Sequence, residues 1–288
     1  MIRKSIELSD RTLTIETGRM ARQACGSVLI TYGETVVMVA VTSSKGNAED
    51  RGFFPMSVDY REKYYASGRI PGGFFKREAR PSEKEIIAAR LTDRPLRPLF
   101  PSGYHNETQI AINVLSYDDE NNGDILGTIG ASAALAISDI PWDGPVASVV
   151  ISRINDEFVI NPINSIKENS DMEVIISGTK DSIVMVEGKA DFISEEDFLG
   201  AIKIGHDAII QIINLQEELV KECGKTKRTI PDVVINESLI ADINDLIKDK
   251  ISNLNNPKNK FDRYEDIRLF KDDIVEKLTE IYPDDTNF

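Results

Sequence analysis

Two apolar, β-branched runs near the N-terminus are separated by only two residues, and that spacing constrains the fold more than any other feature of the chain. Val28-Leu29-Ile30-Thr31-Tyr32 and Thr35-Val36-Val37-Met38-Val39-Ala40-Val41 flank Gly33-Glu34, so the two runs are expected to pair as a β-hairpin. Residues 5–16 alternate apolar and polar side chains, the period of a strand. Two later segments carry the hairpin signature as well. Residues 146–153 and 157–160 flank Asn155-Asp156, and residues 173–177 and 182–187 flank Thr179-Lys180-Asp181.

Helical signals are interleaved with these strands. Ser82 and Glu85 form a capping box, and the helix they open is expected to end at Pro95 and Pro98. Residues 108–115 read as a strand. Residues 127–138 read as a helix rich in small side chains (Gly130, Ala131, Ala133, Ala134, Ala136), which suits close packing on a sheet. Ser194 starts a long helix with an apolar stripe of Phe198, Ile202, Ile209, Ile213 and Val220. Residues 51–82 show no period and are expected to be an extended loop, a length of irregular chain that is usually functional or disordered. The pattern is α+β over residues 1–220, with a linker at 221–234 and only helices over 235–288. Two stripes mark those last helices, one through Leu239, Ile243, Leu246, Ile247 and Leu254, the other through Ile267, Phe270, Ile274, Leu278 and Ile281. The turn between them contains Asn255-Asn256-Pro257. Two amphipathic helices bury little against each other, so this second unit is expected to be incomplete, or to pack on the first domain or on further sequence.

Composition narrows the function. The chain has 288 residues and a net charge of −14, a balance that by itself disfavours polyanions. The distribution reverses that conclusion. Residues 51–100 hold 11 Lys/Arg against 6 Asp/Glu, and residues 101–150 hold no Lys or Arg at all. No apolar run approaches the ~20 residues of a membrane span, and no apolar signal segment follows Met1, so a cytoplasmic protein that does not engage membranes is expected. Two cysteines and two histidines make neither a disulfide framework nor a multi-histidine metal site.

Eight Lys/Arg lie between Arg69 and Arg97, among them the run Gly72-Gly73-Phe74-Phe75-Lys76-Arg77 and then Arg80, Arg90, Arg94 and Arg97. Rings beside cations suit single-stranded nucleic acid, because bases stack at ~1–3 kcal/mol each while cations neutralise phosphates. The alternative is a basic loop with inward-packed phenylalanines. Arg90, Arg94 and Arg97 either line an anion path or are neutralised structurally by Asp93, Glu83 and Glu85. Asp118-Asp119-Glu120-Asn121-Asn122-Gly123 mimics part of a calcium loop, but Ile129 stands where a bidentate Glu is needed, so a solvated turn is expected. Asp124 argues against an anion site at the helix that follows, since a carboxylate there competes with phosphate. His105, His206, Cys25 and Cys223 are expected to be structural, and no catalytic residue or metal ligand is assigned.

Three segments together carry a resemblance: Pro71-Gly72-Gly73-Phe74-Phe75-Lys76-Arg77-Glu78, Arg80-Pro81-Ser82-Glu83-Lys84-Glu85, and Asp93-Arg94-Pro95-Leu96-Arg97-Pro98-Leu99-Phe100-Pro101. They resemble the first half of the bacterial polynucleotide phosphorylase family, with supporting matches over nearly the whole chain. Ala79 departs from the glycine usual at that position. The resemblance implies a first RNase PH-like core (ribosomal protein S5 domain 2-like), followed by the start of an all-helical domain that is truncated here. It also implies a 3′-to-5′ exoribonuclease that uses inorganic phosphate as co-substrate and Mg²⁺ as cofactor, works as a homotrimeric ring, and can meet RNA-degradosome components. In the family the second core carries the phosphate-binding serines and the magnesium ligands. The serine position corresponds here to Asp124-Ile125-Leu126, so this core is expected to be catalytically silent. Its implied role is to guide single-stranded RNA through Phe74, Phe75, Lys76 and Arg77, with Arg80, Arg90, Arg94 and Arg97 as further candidates. A stand-alone, non-catalytic RNA-binding ring subunit is the alternative.

Overall fold

The structure, a computed structural model, describes residues 1–46, 48, 52–74, 77, 80–230, 236–248, 251–254 and 259–282. The chain forms two compact units, Met1–Pro231 and Asp232–Phe288.

The first unit is built on a six-stranded sheet in the order β1-β2-β3-β4-β6-β5. Strands β1 (Ile2–Leu8) and β2 (Arg11–Thr17) form the first hairpin. The alternating run at 5–16 is therefore two strands, turned at Ser9-Asp10, where φ is 48° and 62°. Two left-handed residues in succession match the twist of a tight hairpin. Strands β3 (Gly26–Tyr32) and β4 (Thr35–Ser43) pair as the Gly33-Glu34 spacing predicts, Tyr32 opposite Thr35. Alternate residues of β4, namely Val37, Val39 and Val41, are fully buried.

Residues 51–82 correct the expectation of a loop. They contain β5 (Met56–Glu62), which lies parallel to β6 (Thr108–Ser116). A parallel pair needs a crossover, and helix α1 (Glu83–Leu96) supplies it. The capping box forms: the Glu85 N–H donates to Ser82 Oγ at 3.2 Å, and the Ser82 N–H donates to Glu85 Oε2 at 2.7 Å. Pro95 does not end the helix. It lies buried inside α1, and the chain continues into a 3₁₀ turn at Arg97–Leu99. A proline so near the C-terminus forfeits one ladder bond, while the Arg97 N–H still reaches the Asp93 carbonyl.

Helix α2 (Gly123–Ile137) starts one turn earlier than its small-residue run and is buried throughout except at Asp124. Its small side chains let it lie directly on the sheet: a Cβ on Gly130 would come within 2.7 Å of Val39 Cγ2. A second sheet, in the order β10-β9-β7-β8, comprises β7 (Ala147–Ile154), β8 (Glu157–Ile160), β9 (Met172–Gly178) and β10 (Ile183–Ala190). Both expected hairpins form there. The short helix α3 (Asn164–Lys167) lies between β8 and β9.

Helix α4 (Glu195–Cys223) crosses β7, β9, β1 and α2. By length and composition alone it would also reach across a membrane, but its stripe, including Ile209, Ile212, Ile213 and Leu219, is core. Buried Gln216 ties the layers together. It accepts from Ser132 Oγ at 2.7 Å and donates to the Val146 carbonyl at 2.9 Å.

The stretch expected as a linker, 221–234, is described as far as residue 230. Helix α4 runs to Cys223, and residues 224–230 are fastened to the C-terminal end of α2. Lys227 Nζ donates to the carbonyls of Leu135, Ala136 and Ser138 at 2.8–3.1 Å, and Arg228 pairs with Asp139 at 2.9 Å. Carbonyls at a helix C-terminus have no intrahelical donors, and a lysine there both bonds them and complements the dipole.

The second unit holds α5 (Glu237–Ile247), α6 (Ile251–Leu254) and α7 (Lys260–Ile281). Asn236 caps α5 and Asn259 caps α7. Among its described residues only Leu239 and Leu278 are buried hydrophobics. The turn expected at Asn255-Asn256-Pro257 lies outside the described residues.

Candidate nucleic-acid interface

The basic segment leaves the sheet where β5 ends and returns to it through α1. Past Glu62 the chain makes a 3₁₀ turn at Tyr64–Ser67, closed by Gly68 with φ 67°. The turn is pinned on the neighbouring strand's exit, because the Tyr117 N–H donates to the Ala66 carbonyl at 3.0 Å. Beyond it, Phe74 is 81% exposed. Arg77 and Arg80 are exposed too, and the Arg77 N–H donates to the Phe74 carbonyl at 3.1 Å. Phe75, Lys76, Glu78 and Ala79 lie outside the described residues.

Together, the end of β5, the 3₁₀ turn, the returning loop and the first turn of α1 border a cleft of about 970 Å³, near the upper end of ordinary ligand sites. Arg77 and Arg80 line it, as do Arg61, Arg69, Tyr64 and Tyr65. Arg61 is paired with Asp59 at 2.9 Å, whereas Arg69, Arg77 and Arg80 have no ion pair among the described residues.

The other arginines go elsewhere. Arg90 lies exposed on α1. Arg94 forms an ion pair with Glu187 of β10. Arg97 grips Asp93 through two nitrogens at 2.6 and 3.0 Å and donates to the carbonyls of Phe54 and Met56 at 3.0 Å. The structural alternative therefore holds for Arg97, with the helical acid the sequence offered. For Arg94 the partner is a residue on another sheet. Glu85 neutralises neither, since its oxygens accept the N–H groups of Ser82 and Glu62.

Acids stand at the inner side of the cleft. Glu62 pairs with Lys84 at 2.9 Å and accepts from Tyr60 Oη at 3.2 Å. Asp124 heads α2, and burial pushes its carboxyl up, opposed by the Ile125 N–H and by Lys167 and Lys84. Burial likewise pushes the Tyr60 phenol up, reinforced by Glu62 and Asp124. Helix α2 thus presents a carboxylate where an anion-binding helix would present bare N–H groups. The calcium-like run is a structural turn. Partial burial pushes the Asp118 carboxyl up, but donors outweigh it and hold it at about 2. These are the N–H groups of Glu34, Glu120 and Asn121 and the Asn121 amide, and Thr35 Oγ1 adds a further bond. An acid so fully engaged does not fit a magnesium ligand, and among the described residues no three His, Cys, Asp or Glu stand together to hold a metal. His206 Nε2 lies 3.0 Å from the Thr179 carbonyl, a structural contact.

Sequence reasoning missed Arg61, Tyr64, Tyr65 and Arg69 as members of one cleft. The adjacent tyrosines inside a run of cations were the available signal.

The chain is similar to known proteins. Domain 1 of the 3′ exoribonuclease family matches residues 9–141, and domain 2 of the same family matches residues 144–208. The chain is 47% identical over 281 residues to the polyribonucleotide nucleotidyltransferase of Heliobacterium modesticaldum, covering 98% of this chain and 40% of that protein. It is 51% identical over 248 residues to the enzyme of that name from Thermomicrobium roseum, covering 86% of this chain and 31% of that one. The chain therefore spans about two fifths of the length of the curated relatives it matches. Rice Rrp46 shares the fold, with a TM-score of 0.59 over 73% of this chain and 94% of its own, at 16% identity. The two domain matches follow one another across most of the α+β unit and cover more than half of the sequence, and the chain accordingly belongs to the 3′ exoribonuclease family.

Proposed function

We propose that this chain is the N-terminal portion of a phosphorolytic 3′-to-5′ exoribonuclease that degrades RNA with inorganic phosphate to nucleoside diphosphates. Within it, this portion holds single-stranded RNA and contributes one lip to a homotrimeric ring, in the cytoplasm. The supporting observation is exposed Phe74 in backbone contact with Arg77, which lines a cleft together with Arg80, in a chain of net charge −14. At physiological salt the screening length is ~8 Å. A phosphate at the lip is governed by those guanidiniums and not by the chain's distant acids. The ring of Phe74 offers a base a stacking face. Phe75 and Lys76 join this role by the motif they belong to. Arg90 remains a candidate on its exposure, while Arg94 and Arg97 act chiefly in packing.

Bond cleavage is assigned to sequence outside these 288 residues. Asp124 supports that reading, because its side chain already takes the Ile125 N–H at the head of α2, a donor that a bound phosphate would need. Mg²⁺, if used, is held there as well. The chain is incubated with poly(A), phosphate and Mg²⁺, and no ADP release above background is expected. Robust release overturns the silent-core assignment. A fluorescent oligo(A) is expected to bind the same sample with an affinity that falls as salt rises, and absence of binding overturns the RNA-holding role.

A further inference from the structure

We propose that the cleft beside the 3₁₀ turn takes one nucleotide of the strand held at the lip, with its base stacked on Tyr64 or Tyr65 and its phosphate at the outer arginines. The inference rests on the RNA-holding reading and adds a second stacking station to it.

Three observations carry it. First, the tyrosines present faces. Tyr64 is 43% exposed and Tyr65 59% exposed. Among the described residues neither ring packs on another aromatic ring and neither hydroxyl is hydrogen-bonded. Second, the platform is preorganised. The Gly68 N–H donates to the Tyr65 carbonyl at 3.0 Å, the Arg69 N–H to the Tyr64 carbonyl at 3.1 Å, and Tyr117 anchors the turn from β6. A base landing there orders little backbone, so less of the stacking energy is lost to entropy.

Third, exposed cations stand at the outer side of the cleft: Arg69, Arg77 and Arg80 are outside any ion pair among the described residues, whereas of the exposed acids in the lining, Asp59 and Asp119, the first is paired with Arg61. Its buried lining, Val114 and Gly123, lies beside half-buried Glu62 and Glu85. Those acids disfavour a phosphate deep in the cleft, while their engagement with Lys84 and with the N–H groups of Ser82 and Glu62 leaves the hold on the base to stacking. A nucleotide is thereby oriented phosphate outward and base inward, the reverse of what a helix N-terminus that binds phosphate would impose.

The test is anisotropy of the 288-residue chain with a 5′-fluorescein oligo(A) 12-mer at about 0.1 M salt, a concentration at which phosphate contacts still register. Replacing both tyrosines (Tyr64→Ala with Tyr65→Ala) is expected to weaken binding about tenfold or more, and Tyr64→Phe with Tyr65→Phe to hold it within about twofold, because a phenyl face still stacks. Phe74→Ala is measured beside them. If Phe74→Ala weakens binding and the tyrosine-to-alanine pair does not, the cleft inference fails and the lip stands. If neither weakens it, both fail. Should the alanine pair not fold, the unsubstituted chain is photo-crosslinked to a 5-iodouridine oligonucleotide. Adducts on Tyr64 or Tyr65 support the cleft, and adducts confined to the Phe74 peptide overturn it.

Discussion

The basic island divides into two halves that read alike in sequence and behave differently in the fold. Arg69, Arg77 and Arg80 lie on the loop side, exposed and outside any ion pair among the described residues. Arg94 and Arg97 lie on the helix side, one paired with Glu187 and the other holding Asp93 and two carbonyls. The difference teaches that a cluster of guanidiniums is not itself a binding surface. A guanidinium with its donors already satisfied gains little from a phosphate, while one that faces only water gains charge-assisted bonds.

The comparison breaks most visibly at Arg97. Arg97→Ala leaves the Asp93 carboxylate and the carbonyls of Phe54 and Met56 without their donor, and about 1–3 kcal/mol of stability is expected to go with it. Urea unfolding measures this, and an unchanged midpoint with an unchanged slope would show the contacts to be incidental. RNA affinity of the folded protein is expected to stay as it was.

The loop side is expected to show the opposite pattern. Arg77→Gln with Arg80→Gln is expected to leave the urea midpoint in place and to weaken oligo(A) binding about tenfold, with the salt slope falling by about 1.4 if each contacts one phosphate. A destabilised protein with normal binding would erase the distinction between the halves. The smallest effect is expected at Arg94, whose partner is about as exposed as it is. Arg94→Gln should shift stability by no more than about 0.5 kcal/mol. A larger loss would sharpen the division by showing that a bridge between α1 and the second sheet matters to the architecture.

Much of the fold was legible because its signals are local. Gly33-Glu34 and Asn155-Asp156 fix their hairpins through turn geometry, and Ser82 and Glu85 declare a helix start within four residues. Strand β5 was hidden because it pairs in parallel across a helical crossover and sits between irregular segments, so nothing next to it in sequence announces its partner. Pro95 misled because its helix had only a residue left to run, where a missing N–H costs little.

The site was legible in residue type and not in partnership. Asp93 stands four residues before Arg97, a spacing that puts both on one helix face, but Glu187 is 93 positions from Arg94 and no period links them. Tyr64 and Tyr65 were on view from the start, yet only the pinned turn shows them bordering the same hollow as Arg77 and Arg80.

The fastening of residues 224–230 to the end of α2 has a mechanical side. Lys227 grips the end of the most deeply enclosed helix of the α+β unit, and Arg228 holds Asp139 just beyond it and the Ser44 carbonyl just past β4. Tension applied to the chain further along is therefore delivered to the heart of that unit. Under load, the strands should hold until the anchor itself lets go.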